Sequence, residues 1–469
     1  MASLIDHYRT SSLLGKQKAV GPIPPEKELY GHFLRLAWPS VVESALVALV
    51  GIMDTIMVSS MGDLAIDAVG ICNQPKFVLL CVLFALNTGV TAVVARRKGA
   101  GDQGSANRTL RSALLLGTLL ILCLSALGIL FARPILEVAG AHESYIEDAE
   151  IYFRIICVSL VFQSLNNLIN AAQKGCGNTR ISMTTNMIGN LVNICFNYLL
   201  INGIGPFPRW GIKGAAVATV IGTFVAFTIS LAKLFRRNGY LSVFFKAQSS
   251  WRISREVMEP VMKVTRSALV EQLCIRTGFF LFNMVVAKLS PLDYATHTIC
   301  INMMSLSFCI GDGFQVAATS LAGQNLGAKR PDLANIFCNI GRRIVVFVAI
   351  LLSAVFIIFG RELMGLYTET PEVIEKGRVC LVILSLITYA QTDGVVCSGC
   401  LRGAGDTRYV ARISLLTIAV VRPITAYLMT YPLGMGLYGA WASILIDQGL
   451  RMLLYGRRVN QGKWVSIKL

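Results

Sequence analysis

The chain has 469 residues, of which 54% are apolar and 15% are charged, whereas soluble domains carry roughly 25% charged residues. With a mean hydropathy of +0.62, this composition excludes a soluble multidomain protein and predicts a polytopic membrane protein. The formal net charge of +17 lies in short loops between apolar runs, without a basic stripe interleaved with aromatic residues. It therefore indicates membrane topology and excludes nucleic acid as a partner.

Residues 1–30 contain three prolines and mixed charges and are predicted to be a cytoplasmic amino-terminal segment. The apolar runs that follow approach or exceed the ~20 residues that a helical span needs. Twelve spans are predicted, at 32–60, 68–95, 112–132, 150–172, 182–202, 212–234, 259–288, 297–322, 340–359, 375–400, 410–430 and 436–456. They form two lobes, 31–234 and 259–456, joined by a cytoplasmic link at 235–258 and followed by a cytoplasmic tail at 457–469.

Loop charge alternates along the chain. The basic loops include Arg96-Arg97-Lys98, Arg236-Arg237 with Lys246 and Arg252, and Arg457-Arg458; the loop between spans 3 and 4 is instead acidic, with Glu143, Glu147, Asp148 and Glu150. Because basic loops face the cytoplasm, both termini are predicted to be cytoplasmic in a multi-pass protein of the cell membrane.

The two lobes are related by an internal repeat. Gly175-Cys-Gly-Asn-Thr-Arg180 returns as Gly403-Ala-Gly-Asp-Thr-Arg408, and at the same offset Glu43 and Gln163 match Glu271 and Gln391. Six spans per lobe is an even number, so the second lobe begins on the same side of the membrane as the first. The repeat predicts two parallel six-helix lobes related by a pseudo-twofold axis along the membrane normal.

Carboxylates inside predicted spans are candidates for function because burying them in a membrane is costly. They are Glu43, Asp54, Glu271, Asp312, Asp393 and Asp447. Glu271 stands about twelve residues into its span, ~18 Å deep at 1.5 Å per residue, where a lone carboxylate would bind a proton or a metal cation. Competition between that ion and a cationic ligand is the physical basis of antiport. Asp447 and Arg451 are four residues apart and are expected to form a structural ion pair.

Several motifs occur in the order and spacing of a known family. They are Gly51-Ile-Met-Asp-Thr-Ile-Met57, Gly211-Ile-Lys-Gly-Ala-Ala216, Gly323-Gln-Asn-Leu-Gly-Ala328, Cys400-Leu-Arg-Gly-Ala-Gly-Asp-Thr407 and Gly436-Leu-Tyr-Gly-Ala440. Over nearly all twelve spans the chain resembles the multidrug and toxic compound extrusion (MATE) transporters. The resemblance implies two six-helix lobes around a central cavity that opens alternately to the two sides of the membrane.

The resemblance also implies two alternative ion sites. One is Asp54 with Asn193, Asn197, Thr219 and the Ala215 carbonyl, and the other is Glu271 with Asp393. Na⁺ could bind either set, since hard cations prefer oxygen ligands, and the coupling ion stays open between Na⁺ and H⁺, with no other cofactor. Further candidates for the cavity wall are Glu43, which replaces the family's usual glutamine, Asp312, Gln163 and Gln391.

The leading functional hypothesis is a monomeric secondary antiporter that exports amphipathic, mostly cationic organic compounds in exchange for Na⁺ or H⁺ by alternating access. Its partners would be small organic cations and membrane lipid. The alternative is a flippase or exporter of a lipid-linked or polyanionic ligand on a related fold. An enzyme is not predicted, because the chain has neither a DDxxD nor an HxxxxD motif, and a channel is rejected because no pore-loop signature occurs.

Overall fold

A computed structural model describes residues 13–15, 17–59, 61–204, 208–236, 239–242 and 253–467, and within these ranges the regular secondary structure is helical. The helices are α1 (Glu26–Ser59), α2 (Asp63–Gly99), α3 (Gln103–Leu130), α4 (Ala132–Val138), α5 (Ile146–Gly175), α6 (Thr179–Asn202), α7 (Gly211–Leu234), α8 (Arg255–Ala287), α9 (Pro291–Gly327), α10 (Pro331–Ile358), α11 (Gly360–Gly365), α12 (Pro371–Ala404), α13 (Thr407–Ser414), α14 (Arg422–Thr430) and α15 (Gly436–Asn460).

Ten helical segments in the described part of the chain are long and apolar enough to cross a membrane. They are α1, α2, α3, α5, α7, α8, α9, α10, α12 and the continuous stretch Thr407–Thr430. This confirms the prediction of an all-α, multi-pass membrane protein. The predicted spans at 182–202 and 436–456 correspond to α6 and α15, which are of similar length but contain more polar side chains.

Most helices extend beyond the apolar runs that predicted them. The run at 112–132 belongs to α3, which begins at Gln103, and the run at 68–95 belongs to α2, which ends at Gly99. Hydropathy reports only the part of a helix that matches the bilayer core, whereas backbone hydrogen bonding continues through the polar turns at either end.

The chain divides into two compact units. The amino-terminal unit comprises the described residues from Val42 to Thr265, and the carboxy-terminal unit comprises those up to Val41 and from Arg266 onward. Both divisions fall inside continuous helices, α1 and α8, whereas the sequence-based lobes were drawn to begin at 31 and 259. Residues 1–12 and 16 of the predicted terminal segment, 237–238 and 243–252 of the link, and 468–469 of the tail lie outside the described residues.

Matching helix contacts hold the two units together internally. In the amino-terminal unit, the Thr91 hydroxyl of α2 donates to the Ala171 carbonyl of α5 at 3.0 Å. In the carboxy-terminal unit, the Thr319 hydroxyl of α9 donates to the Gly399 carbonyl of α12, also at 3.0 Å. The two threonines correspond at the offset of the internal repeat, and so do the two carbonyls. The sequence repeat is thus also a repeat of local packing.

The predicted span at 410–430 is one continuous helix that changes its winding. Helix α13 passes through a π-helical turn at Leu415–Val421 into α14, which has Pro423 in its first turn. Proline donates no backbone hydrogen bond, and a π turn is a rare departure from α-helical geometry that is found mostly as a single turn inside α-helices, frequently at functional sites. The turn leads directly to Arg422, whose side chain is buried.

Candidate functional site

Asp54 lies on α1 among polar groups from α6 and α7. The Asn197 amide donates to Asp54 Oδ1 at 2.6 Å. With the Asn193 amide oriented to satisfy both of its polar atoms, its nitrogen donates to Asp54 at 3.2 Å and its oxygen accepts from the Thr219 backbone N–H at 3.2 Å. The Thr219 hydroxyl donates to the Ala215 carbonyl at 3.0 Å. The structure therefore brings together all members of the predicted Asp54 set.

Four members of this set, all except Asn193, line a cavity of about 440 Å³ in the amino-terminal unit, together with Lys76 and Tyr152. Among the described residues neither Asp54 nor Lys76 takes part in an ion pair with an N–O distance within 4.0 Å. Sequence reasoning missed Lys76. The signal that could have found it is a lysine inside the predicted span at 68–95, which is costly there for the same reason as an intramembrane acid.

Glu43 does not line this cavity and instead forms a buried cluster at another level of the same unit. Its Oε1 atom accepts from Lys174 Nζ at 3.0 Å, from the Ser182 hydroxyl at 2.9 Å and from the Asn186 amide at 2.6 Å. Lys174 lies in the last turn of α5. The ion pair connects α1 to the end of α5 within this unit.

Glu271 forms the corresponding cluster in the carboxy-terminal unit. Arg402 Nη2 donates to its Oε1 atom at 2.5 Å, and the Ser414 hydroxyl donates to the same atom at 3.3 Å. The expectation of a lone carboxylate at Glu271 is therefore wrong, because Arg402 neutralises it. The planar guanidinium of Arg402 thus faces one of the two carboxylate oxygens that a bound cation would use.

Asp393 on α12 is also paired with an arginine. Arg342 of α10 donates through Nε to Oδ1 at 2.7 Å and through Nη2 to Oδ2 at 3.2 Å. This two-point geometry matches the fork of a guanidinium to a carboxylate. Glu271 and Asp393 share no hydrogen-bond partner among the described residues, so the structure does not assemble them into one oxygen cage.

The expected pair of Asp447 and Arg451 is confirmed, with a distance of 3.3 Å. Arg422 completes the cluster from α14, with its Nε at 3.0 Å from Asp447 Oδ2, and its guanidinium lies 4.9 Å from the centre of the Phe279 ring. Asp447 and Arg422 are both essentially inaccessible to solvent. Such full burial is tolerated because two cations face one carboxylate.

The remaining candidates do not gather at one place. Gln163 is half-buried on α5 and Asp312 is exposed on α9. Gln391 is buried on α12, and neither polar atom of its side-chain amide has a hydrogen-bond partner among the described residues. A second open cavity, of about 540 Å³, is lined by Asp393 and its partner Arg342, so the Asp54 set differs from it in having a carboxylate on an open cavity without an ion pair among the described residues.

Comparisons with known proteins agree with this architecture. The MatE family profile matches residues 39–199 and again 268–428. The chain is 27% identical over 445 residues to the probable multidrug resistance protein NorM of Thermotoga maritima, covering 94% of this chain and 95% of that protein. It is 26% identical to the multidrug resistance protein PmpM of Pseudomonas aeruginosa, covering 82% and 80%. A solved outward-facing multidrug resistance MATE family transporter of the MOP superfamily superposes with a TM-score of 0.86 at 21% identity, covering 97% and 99%.

Proposed function

The chain belongs to the MatE family, and on this basis we propose that it exports amphipathic, mostly cationic organic compounds across the cell membrane. Export proceeds by alternating access of a single chain, in exchange for an inward-moving Na⁺ or H⁺. The relatives are transporters that are named for multidrug resistance, so transport is proposed here and catalysis is not. The flippase alternative is not favoured, because the open cavity contains a carboxylate and no ring of arginines.

The proposed topology has twelve spans in two lobes, with α6 and α15 as the more polar members and both termini in the cytoplasm. Loop charge supports this arrangement. Single cysteines placed in a cysteine-depleted background at the 143–150 loop should react with an impermeant reagent from outside. Those at residues 253–255 should react from inside. Reaction of both from the same side would contradict the topology.

The coupling ion is proposed to bind at Asp54. The observation that carries this proposal is that Asp54 faces an open cavity without an ion-pair partner among the described residues, whereas Glu43, Glu271, Asp393 and Asp447 are each paired with a basic side chain. An ion can bind and leave a carboxylate that no tethered cation already neutralises by contact. Glu271 and Asp393 are accordingly assigned structural roles.

Coupling has a defined energetic scale. One charge moving inward down 100 mV releases ~2.3 kcal/mol, which corresponds to a concentration ratio of about 50-fold for an exported neutral compound. For an exported monovalent cation exchanged one for one, the effect of the potential cancels, and the concentration gradient of the coupling ion sets the ratio. An uncoupled variant loses this ratio and behaves as a passive pathway at best. The expected difference is therefore large enough to measure in vesicles.

The decisive experiment follows a cationic dye such as ethidium in everted vesicles, with a proton gradient and a sodium gradient imposed separately. Wild-type protein should accumulate the dye under at least one gradient, and Asp54→Asn should abolish that accumulation at an equal amount of folded protein. Asp67→Asn, which changes an acid outside the Asp54 set, is the matched control. Equal dye retention in vesicles with and without the protein, across several cationic dyes, would contradict the exporter proposal.

A further inference from the structure

Lys76 is an unusual residue for its position in the chain. It lies more than three turns into α2, which begins at Asp63, and so ~20 Å along the helix at 1.5 Å per residue, within a segment that is apolar enough to span a membrane. A lysine at such depth is costly unless it faces a partner or a polar cavity. Its side chain lines the cavity that also contains Asp54, Asn197 and Tyr152.

The internal repeat shows that packing alone does not require a charge at this position. At the offset of that repeat, Phe282 corresponds to Asp54 and Met304 corresponds to Lys76. Both counterparts are buried in one hydrophobic cluster of the carboxy-terminal unit, in which Cys380 replaces Tyr152. One unit therefore has the acid and the base together, and the other has neither. The carboxy-terminal unit packs with apolar residues at both positions, so the common fold does not require charges there. In the amino-terminal unit both charges lie beside an open cavity.

The oxygen atoms around Asp54 suit a cation. Asp54 has two carboxylate oxygens, and Asn197 Oδ1 is a buried acceptor that has no hydrogen-bond donor among the described residues. An ammonium group offers three donors and no acceptor, so Lys76, which lines the same cavity without an ion-pair contact to Asp54, competes electrostatically for the oxygens that a hard metal cation would need. A second positive charge in this cavity would also face direct repulsion from the ammonium group.

We infer that Lys76 is a tethered cation that excludes Na⁺ from the Asp54 set and thereby determines which ion the transporter can use. Na⁺ needs several oxygen ligands at once, which the ammonium group contests, whereas a proton needs a single carboxylate oxygen. The inference depends on the proposed function only in taking Asp54 as the coupling site. It assigns to Lys76 a specificity-determining role.

The test measures Na⁺ binding to the full-length purified protein, separately from transport. The unfolding temperature and the retention of radioactive sodium are followed as NaCl replaces choline chloride at constant ionic strength. Wild type and Lys76→Arg should show no sodium-specific effect. Lys76→Met, which installs the residue of the other unit, should gain Na⁺ affinity by about tenfold or more, as expected when a nearby like charge is removed.

Two controls make the result specific. Lys213→Met removes an exposed lysine outside the cavity and should not create Na⁺ binding. Lys76→Met combined with Asp54→Asn should lose the gain, because the carboxylate is the principal ligand. Wild-type protein that binds Na⁺ as tightly as Lys76→Met, or a double variant that keeps the gain, would overturn the inference. Because binding is read without dye movement, absence of efflux would count against the proposed function alone.

Discussion

Among the described residues one buried ion pair occurs in both units, and the other buried ion pairs occur in one unit only. Glu43 and Lys174 pair in the amino-terminal unit at 3.0 Å, and Glu271 and Arg402 pair in the carboxy-terminal unit at 2.5 Å. Both members of the first pair match those of the second at the offset of the internal repeat. A contact that occurs in both units, whatever the chemistry of the surrounding cavity, is best explained by a structural role in the common fold.

The two units differ in the polar groups that are not repeated. The amino-terminal unit has Asp54 and Lys76 on an open cavity, where the carboxy-terminal unit has a closed apolar cluster. The last long helix of each unit, α7 and α15, differs in the opposite sense. When their first residues, Gly211 and Gly436, are aligned, Asp447 of α15 corresponds to Gly222 of α7. Gly222 allows α7 to approach α6 closely. The carboxy-terminal unit instead buries an ion cluster at that crossing. The two units thus share a helical scaffold and differ in where they place polar and charged side chains.

Among the variants that test this comparison, Asp447→Asn is expected to have the largest effect on the free energy of unfolding. Removing the carboxylate leaves Arg422 buried without its counter-charge, and breaking one side of a buried pair costs about 3–5 kcal/mol. The free energy of unfolding, measured by denaturant titration of purified protein, should fall by this amount. Asp148→Asn, an exposed acid at the start of α5, should change it by less than about 0.5 kcal/mol. If Asp447→Asn were as stable as wild type, the proposed structural role of the cluster would be contradicted.

The repeated pair is tested by Glu271→Gln and Glu43→Gln. Loss of about 2–3 kcal/mol is expected for Glu271→Gln, because Arg402 stays largely buried. Glu43→Gln should cost less, since the flexible Lys174 side chain can turn its ammonium group toward water. Efflux per folded protein should persist in both variants. Gradient-driven efflux lost in Glu271→Gln at normal folded yield would instead support the sequence-based hypothesis that Glu271 is a coupling site.

Close helix packing is tested by Gly403→Ala and Gly175→Ala. A methyl group at Gly175 would lie 2.7 Å from the Thr91 carbonyl oxygen, and one at Gly403 would lie closer still to the Thr319 carbonyl oxygen. Such overpacking costs about 1–3 kcal/mol, so both variants should unfold at lower temperature, Gly403→Ala by the larger amount. Gly365→Ala, at a glycine with open space around it, is the control. A tolerated alanine at both positions would show that the repeated contact is loose.

The smallest expected effect concerns the start of α3, which the Asp102 side chain caps by accepting from the Ser105 backbone N–H at 2.9 Å. Its counterpart Arg330 provides no such cap, and α10 begins instead with Pro331 in its first turn. Asp102→Ala should cost about 1 kcal/mol. Equal stability of wild type and Asp102→Ala at neutral pH would show that the cap contributes nothing.

The cap also predicts a pH dependence. The hydrogen bond from the Ser105 backbone holds the pKa of Asp102 below its usual range. The stabilisation is therefore fully present above the ordinary aspartate pKa of about 3.9 and is lost as pH falls through the lower folded-state pKa. Thermal unfolding followed from neutral to acid pH should show wild type approaching Asp102→Ala. A difference that grows on acidification would contradict this sign.

Much of the fold could be predicted from local features of the sequence, such as apolar runs and residue spacing. Long apolar runs require helices in a membrane because the bilayer offers no partners for backbone hydrogen bonds, and the internal repeat identified the duplicated units. The pair of Asp447 with Arg451 was predictable because residues four apart meet on one helix face. The Asp54 set was predicted from family motifs, and the structure gathers its members from α1, α6 and α7.

Only the tertiary structure decided which charges neutralise each other across helices. Glu271 and Arg402 are 131 residues apart, and no local pattern distinguishes Arg402 from the other basic residues that indicate topology. Lys76 likewise becomes a cavity residue only because α2 presents it beside Asp54 of α1. Hydropathy and periodicity describe what one helix requires from its surroundings. The pairing of side chains on different helices depends on how all the helices pack, which the sequence specifies collectively and no single segment reveals.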